Sequence, residues 1–130
     1  MTTTATLQAR SFTVALTVND LERSIRFYTG LGMDVDERME TDGKLEGVML
    51  KAGTAMLGVS QDDFAKGRDR AKGVGMSLYL ETDQDIPTLA RGAKGAGITL
   101  DSEPAALPWG PMGFRVTDPD GFKITIANPS

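Results

Sequence analysis

The order of strand-like and helix-like segments occurs twice along the 130 residues. The first copy has a strand-like run at 12–18, a helix-like run at 21–28 and an end at Gly32, and the second has them at 76–80, 86–94 and Gly97. The two glycines are separated by half the chain. An internal repeat limits the architecture more than any single residue does, and two copies of one α+β unit can enclose a cavity between them.

Each copy predicts the order strand, helix and three strands. The further strands are predicted at 33–39, 47–51 and 55–60 in the first copy, and at 98–101, 114–117 and 122–127 in the second, where a Pro-rich loop occupies 104–111. We therefore predict an α+β fold in one domain, 1–130. Its modules span about 10–60 and about 75–128, and a charged linker occupies 61–74.

The predicted strands have two unlike faces. One face is apolar and is predicted to form the core; it carries Val14, Leu16, Val18, Met76, Leu78, Leu80, Ile124 and Ile126. The other face is small and polar; it carries Thr13, Ala15, Thr17, Gly75, Ser77, Tyr79, Glu81, Lys123 and Thr125. Such a face suits the lining of a crevice, and the alternative is an ordinary solvated surface.

Composition excludes several classes of function. The chain has no cysteine, hence no disulfide or thiolate site, and no histidine, hence no Ser-His-Asp triad or imidazole ligand. The net charge of −4 argues against binding to nucleic acid or to an anionic membrane. The Thr-rich start lacks a signal-peptide core, and no apolar run approaches the roughly 20 residues of a membrane span. We expect a cytoplasmic protein.

Two motifs resemble one known family. Residues 16–28 (LTVNDLERSIRFY) with 31–33 are similar to the opening of the vicinal oxygen chelate superfamily, and 108–110 (PWG) with 114–124 (FRVTDPDGFKI) to its last hairpin. That superfamily contains glyoxalase I, extradiol dioxygenases, fosfomycin resistance enzymes and bleomycin resistance proteins. The resemblance covers 11–128 and implies two βαβββ modules that form a cupped, barrel-like mixed sheet with helices outside, usually in a homodimer.

The resemblance also locates the family's metal ligands, which are typically His, Gln or Glu. The corresponding positions here are Thr13, Gly58, Gly75 and Thr125. Glycine has no side-chain donor, and threonine hydroxyls alone do not hold the divalent metals that prefer imidazole or carboxylate. We therefore expect no catalytic metal and no other cofactor. The alternative left open is an improvised site that uses Glu46 and Glu81.

The crevice keeps residues that suit a ligand. The candidate ligand-binding residues are Trp109, Tyr79, Glu81, Met56, Thr13, Ser77 and Arg115. Trp109, the only tryptophan, lies in a loop between two prolines and is a stacking surface for a planar or cationic ligand; the alternative is a structural plug. Arg115 is a candidate anion contact.

These features favour a metal-free protein, similar to bleomycin resistance proteins, that binds a small organic molecule as a homodimer. The alternative is a metal-independent isomerase or lyase that uses Glu81 or Tyr79 as acid or base, because a buried carboxyl reaches a useful pKa without histidine. In that alternative Glu81 must be buried, whereas its place at the end of a strand also fits an exposed rim.

Overall fold

The structure is a computed structural model that describes residues 6–130. Its elements in chain order are β1 (Val14–Val18), α1 (Leu21–Gly30), β2 (Asp34–Thr41), β3 (Lys44–Ala52), β4 (Ala55–Gln61), β5 (Ser77–Glu81), α2 (Ile86–Gly95), β6 (Ser102–Ala106), β7 (Met112–Thr117) and β8 (Lys123–Ala127). Within 6–130, no helix has the length and apolar character needed to cross a bilayer.

The strands form two separate sheets with the same topology. The first sheet has the order β1-β4-β3-β2 and the second has the order β5-β8-β7-β6. In each sheet the first strand of the module pairs in parallel with the last one, and the other pairs are antiparallel. The predicted α+β fold of two βαβββ modules is confirmed. The sheets form an open cup and do not close into a barrel.

One predicted strand lies in the wrong place. The strand predicted at 98–101 is absent there, and β6 runs instead through Pro104, inside the predicted loop. Its pairing with β7 is irregular between Ser102 and Ala105, and it is an edge strand, so the missing N–H of proline breaks no ladder. The apolar signal at Ile98 comes from burial in the core outside any strand.

The core joins residues of both modules, and each helix covers one face of its sheet. Leu16, Tyr28, Val48, Phe114 and Ile124 are among the buried residues of a single cluster. Asp20 caps α1 by accepting a hydrogen bond from the backbone N–H of Arg23, and Asp85 caps α2 by accepting one from the backbone N–H of Thr88. The core face predicted from alternation is confirmed except at Met76, which precedes β5 and is 42% exposed.

A buried hydrogen bond connects the modules. The hydroxyl of Tyr28, on α1, donates to Oδ2 of Asp118 at 2.6 Å. The other oxygen, Oδ1, accepts from the backbone N–H groups of Asp120 and Phe122 at 2.9 Å each. Asp120 in turn accepts from the backbone N–H of Asn19. The turn at 118–121 is therefore structural, as its sequence predicts.

Burial controls the protonation of this pair. Burial raises the pKa of the Asp118 carboxyl, and the hydrogen bonds from Tyr28 and the backbone oppose that rise. Burial and the adjacent Asp118 carboxylate raise the pKa of Tyr28 well above its usual range. Tyr28 therefore keeps its proton at any physiological pH and remains a donor.

Removing the Tyr28 hydroxyl should destabilise the whole domain. We expect Tyr28→Phe to lower the free energy of unfolding by about 1–3 kcal/mol, because a buried carboxylate oxygen loses its only side-chain donor. Urea unfolding followed by circular dichroism measures this. Tyr79→Phe, which removes the hydroxyl of a tyrosine that is 48% exposed and whose hydrogen bond with Trp109 lies at the surface, is the control and should cost no more than about 0.5 kcal/mol. Equal losses in the two variants would contradict the assigned role.

Candidate functional site

The open face of the second sheet carries three of the candidate site residues in one continuous row. Tyr79 on β5 lies opposite Thr125 on β8, and Thr125 lies opposite Arg115 on β7. Tyr79 and Arg115 are exposed, and Thr125 is half-buried. Strand pairing therefore brings together three residues that are far apart in sequence.

The loop between β6 and β7 adds Trp109 to this row. The loop is tight, since the backbone N–H of Gly110 donates to the carbonyl of Leu107 and that of Leu107 to the carbonyl of Pro111, both at 2.8 Å. Gly110 adopts φ of +117°, a value that favours glycine. Leu107 is buried, whereas Trp109 is 50% exposed. The loop is thus held at its base and presents the indole outward.

Trp109, Tyr79 and Arg115 form what we call the aromatic–cation cluster. The indole Nε1–H donates to the Tyr79 hydroxyl oxygen at 3.0 Å. The two rings have centroids 5.9 Å apart and planes inclined by 47°. The guanidinium carbon of Arg115 lies 5.6 Å from the Trp109 ring centroid, within cation–π range. These contacts fix the ring of Trp109 while half of its surface stays accessible.

The remaining candidate residues lie outside the aromatic–cation cluster, on both sheets. Ser77 and Glu81 flank Tyr79 on β5 and are exposed. Glu81 also lines a separate cavity of about 530 Å³ at the end of its strand. Thr13 and Met56 belong to the first module, where Thr13 precedes β1 and Met56 lies on β4. Within one chain, the site residues are therefore divided between the two sheets.

The open face of the first sheet borders a groove of about 680 Å³. Its floor includes Thr17, Met39 and Ser60 from the strands. The opposite wall comes from the linker and includes Lys66 and Arg70. The sequence indicated only a charged linker here. The segment is attached to the domain by backbone hydrogen bonds, from Asp62 to Val18 and from Gly73 to Asp120, which no side-chain pattern predicts.

A buried ion pair holds this wall in place. Asp62 forms an ion pair with Nζ of Lys72 at 2.8 Å and accepts a hydrogen bond from a guanidinium nitrogen of Arg70 at 3.1 Å, and the Lys72 side chain is only 3% exposed. The Asp62 backbone N–H donates to the carbonyl of Val18. The adjacent Lys72 ammonium, together with the hydrogen bonds from the Phe64 backbone and from Arg70, holds the pKa of Asp62 at about 2.

Loss of the Asp62 charge should loosen the groove wall in a pH-dependent way. The Asp62 pKa is lower in the folded than in the unfolded protein, so its stabilisation is present above about pH 4 and is lost as the pH falls toward 2. We expect Asp62→Asn to unfold at lower urea concentration than the parent at pH 7, with the gap closing between pH 4 and pH 2. Asp63→Asn, an exposed neighbour, is the control. A gap that is constant with pH would contradict this assignment.

The residues at the four positions that the family resemblance implies for metal ligands are not suited to bind a metal ion. Gly58 and Gly75 supply no donor, and Thr13 and Thr125 supply only neutral hydroxyls. Thr125 lies beside Arg115, whose positive charge opposes a bound cation. The region 6–130 contains no group of three or more His, Cys, Asp or Glu residues arranged for a metal ion. Glu46 lines the groove of the first sheet and Glu81 the other cavity.

Comparison with known proteins identifies the same fold. The family model described as Glyoxalase/Bleomycin resistance protein/Dioxygenase superfamily matches residues 10–126. Among curated proteins, none matches significantly. Three solved structures illustrate the similarity.

The first of these three is a bleomycin-binding protein complexed with bleomycin, which is 22% identical, with 94% of this chain and 100% of that one covered and a TM-score of 0.66. A glyoxalase-related enzyme from Fulvimarina pelagi is 23% identical, with 93% and 89% covered and a TM-score of 0.70. TioX from Micromonospora sp. ML1 is 17% identical, with 92% and 98% covered and a TM-score of 0.74. At these identities the likeness concerns the fold.

Proposed function

Because the chain belongs to the glyoxalase/bleomycin resistance protein/dioxygenase superfamily, we propose that it binds a small organic molecule on the open faces of its sheets, as a homodimer and without a metal. The observation that carries the proposal is the aromatic–cation cluster. Trp109 and Tyr79 are about half exposed, yet their rings are held by a hydrogen bond to one another. A ligand that stacks on such a preformed surface loses little free energy to side-chain ordering.

The alternative role of Trp109 as a plug fits the geometry less well. A plug buries its ring in a closed end of the fold, whereas this indole keeps half its surface accessible on an open sheet face. The bleomycin-binding protein, similar in fold, is known with a small molecule bound. That similarity supports a binding role for this chain and leaves the identity of its own ligand open.

Exposed apolar side chains support the homodimer. They include Met39, Met76, Tyr79, Trp109 and Met112. Met39 borders the groove of the first sheet, and Tyr79 lies on the open face of the second. Each sheet has one face covered by its own helix, so a partner chain that faces the other side would complete the cup, cover the exposed methionines and leave Tyr79 and Trp109 lining the enclosed crevice. A solution mass equal to one chain would contradict the dimer.

The metal-free part of the proposal rests on the chemistry of the available donors. Two glycines and two threonines occupy the family's ligand positions, and Arg115 adjoins one of them. Catalysis that requires a metal to polarise the substrate is therefore not proposed for this site. The cup nevertheless keeps aromatic and hydroxyl groups that can contact a ligand, and this favours a binding role over metal-dependent catalysis.

The test is a ligand screen on protein stripped of metal. Trp109 is the only tryptophan, so its fluorescence reports this site alone. We expect at least one planar amphipathic compound to change the emission saturably, and Trp109→Ala to weaken its binding measured by calorimetry by about tenfold or more, since stacked aromatics dominate such sites. Added manganese or zinc should leave the affinity unchanged.

The control for this screen is Phe12→Ala, which removes an aromatic ring that is 87% exposed and lies outside the cluster. It should bind as the parent does. A Trp109 emission that no compound changes, or an affinity that depends on added metal, would contradict the proposed function.

A further inference from the structure

We propose that the ligand is a planar aromatic anion, whose ring stacks on Trp109 and whose carboxylate, or an equivalent oxyanion, is bound by Arg115 and Thr125. This inference rests on the proposed function and adds the chemical class of the ligand. It follows from the charges and hydrogen-bonding groups in the row Tyr79–Thr125–Arg115.

Arg115 is fixed in position yet has no anionic partner. Among the residues that the structure describes, the cations paired with a carboxylate are Arg23, Lys51, Arg70, Lys72 and Lys94. No carboxylate within 6–130 lies within 4.0 Å of the Arg115 side chain, whose described contact is the ring of Trp109. Other exposed arginines also lack an ion pair, but Arg115 stands on a sheet beside an accessible aromatic ring. Its planar donors match a carboxylate in geometry and charge.

The neighbouring hydroxyls add donors to the same place. The Tyr79 oxygen accepts the indole N–H, so its own hydrogen is available to a ligand. Thr125 lies between Tyr79 and Arg115 in the strand register, and its hydroxyl has no hydrogen-bond partner within the described chain. Three hydrogen-bond donors therefore occupy adjacent positions of the row, and the row itself contains no carboxylate that could accept from them.

The carboxylates nearest to this row in the sheet have other surroundings. Asp101 accepts a short hydrogen bond from the hydroxyl of Thr117. Glu81 lines the cavity at the end of β5. On the same face, Lys123 is exposed two residues before Thr125 and adds a further positive charge. The Arg115 guanidinium beside the Trp109 ring therefore favours a negative ligand at this position over a cationic one, which it would repel.

A matched pair of probes separates charge from stacking. 2-Naphthoate and 2-naphthamide have the same ring and nearly the same shape, but only the first is an anion. We expect calorimetry to show about tenfold tighter binding of 2-naphthoate at low salt, because hydrogen bonds to a charged group are stronger than neutral ones. The single indole N–H resonance of Trp109 should move with both probes.

Variants test whether the preference for the anionic probe depends on Arg115. Arg115→Gln should abolish the preference for 2-naphthoate while the affinity for 2-naphthamide is retained. Arg115→Lys, which keeps the positive charge, should retain part of the preference for 2-naphthoate. Arg26→Gln, on the exposed face of α1, should leave both affinities as in the parent. An unchanged preference in Arg115→Gln would overturn the role of Arg115.

The outcomes distinguish this inference from the function on which it rests. Equal affinities of the parent for the two probes, with the Trp109 resonance shifted by both, would overturn the anionic class and leave the binding function supported. An indole resonance that responds to neither probe, nor to the wider ligand panel, would overturn both.

Discussion

The hydrogen bond from Tyr28 to Asp118 joins, together with the shared core, two halves that have no strand pairing in common. Each module has its own sheet, so backbone ladders alone would leave the modules independent. Tyr28, on the first helix, reaches the last turn of the second module at 2.6 Å. Asp118 also accepts two backbone N–H groups of its own turn, so one carboxylate fixes the hairpin and the contact between modules together.

That arrangement determines which surfaces remain free for function. The helices and the joined core cover one face of each sheet, and the opposite faces stay open. On the second sheet this leaves Tyr79, Trp109 and Arg115 accessible in fixed positions. On the first sheet it leaves the groove whose wall is held by Asp62 and Lys72. Stability and the proposed ligand recognition therefore use opposite sides of the same strands.

Much of the fold could be predicted because the repeat and the strand alternation are local signals. The open face that carries Tyr79 also follows from alternation along β5. The strand at Ser102–Ala106 was missed, since an edge strand tolerates proline and shows little apolar pattern. The contact of Trp109 with Tyr79 and the burial of Lys72 depend on how distant segments meet, which no local pattern records.

The central claim is that this face recognises an aromatic anion without a metal. A crystal structure of the metal-free protein grown with 2-naphthoate tests it most directly. The naphthyl ring should lie against the accessible face of Trp109, and a carboxylate oxygen should lie within hydrogen-bond distance of the Arg115 guanidinium. A naphthoate bound elsewhere, or bound through a coordinated metal ion at Thr13, Gly58, Gly75 and Thr125, would contradict it.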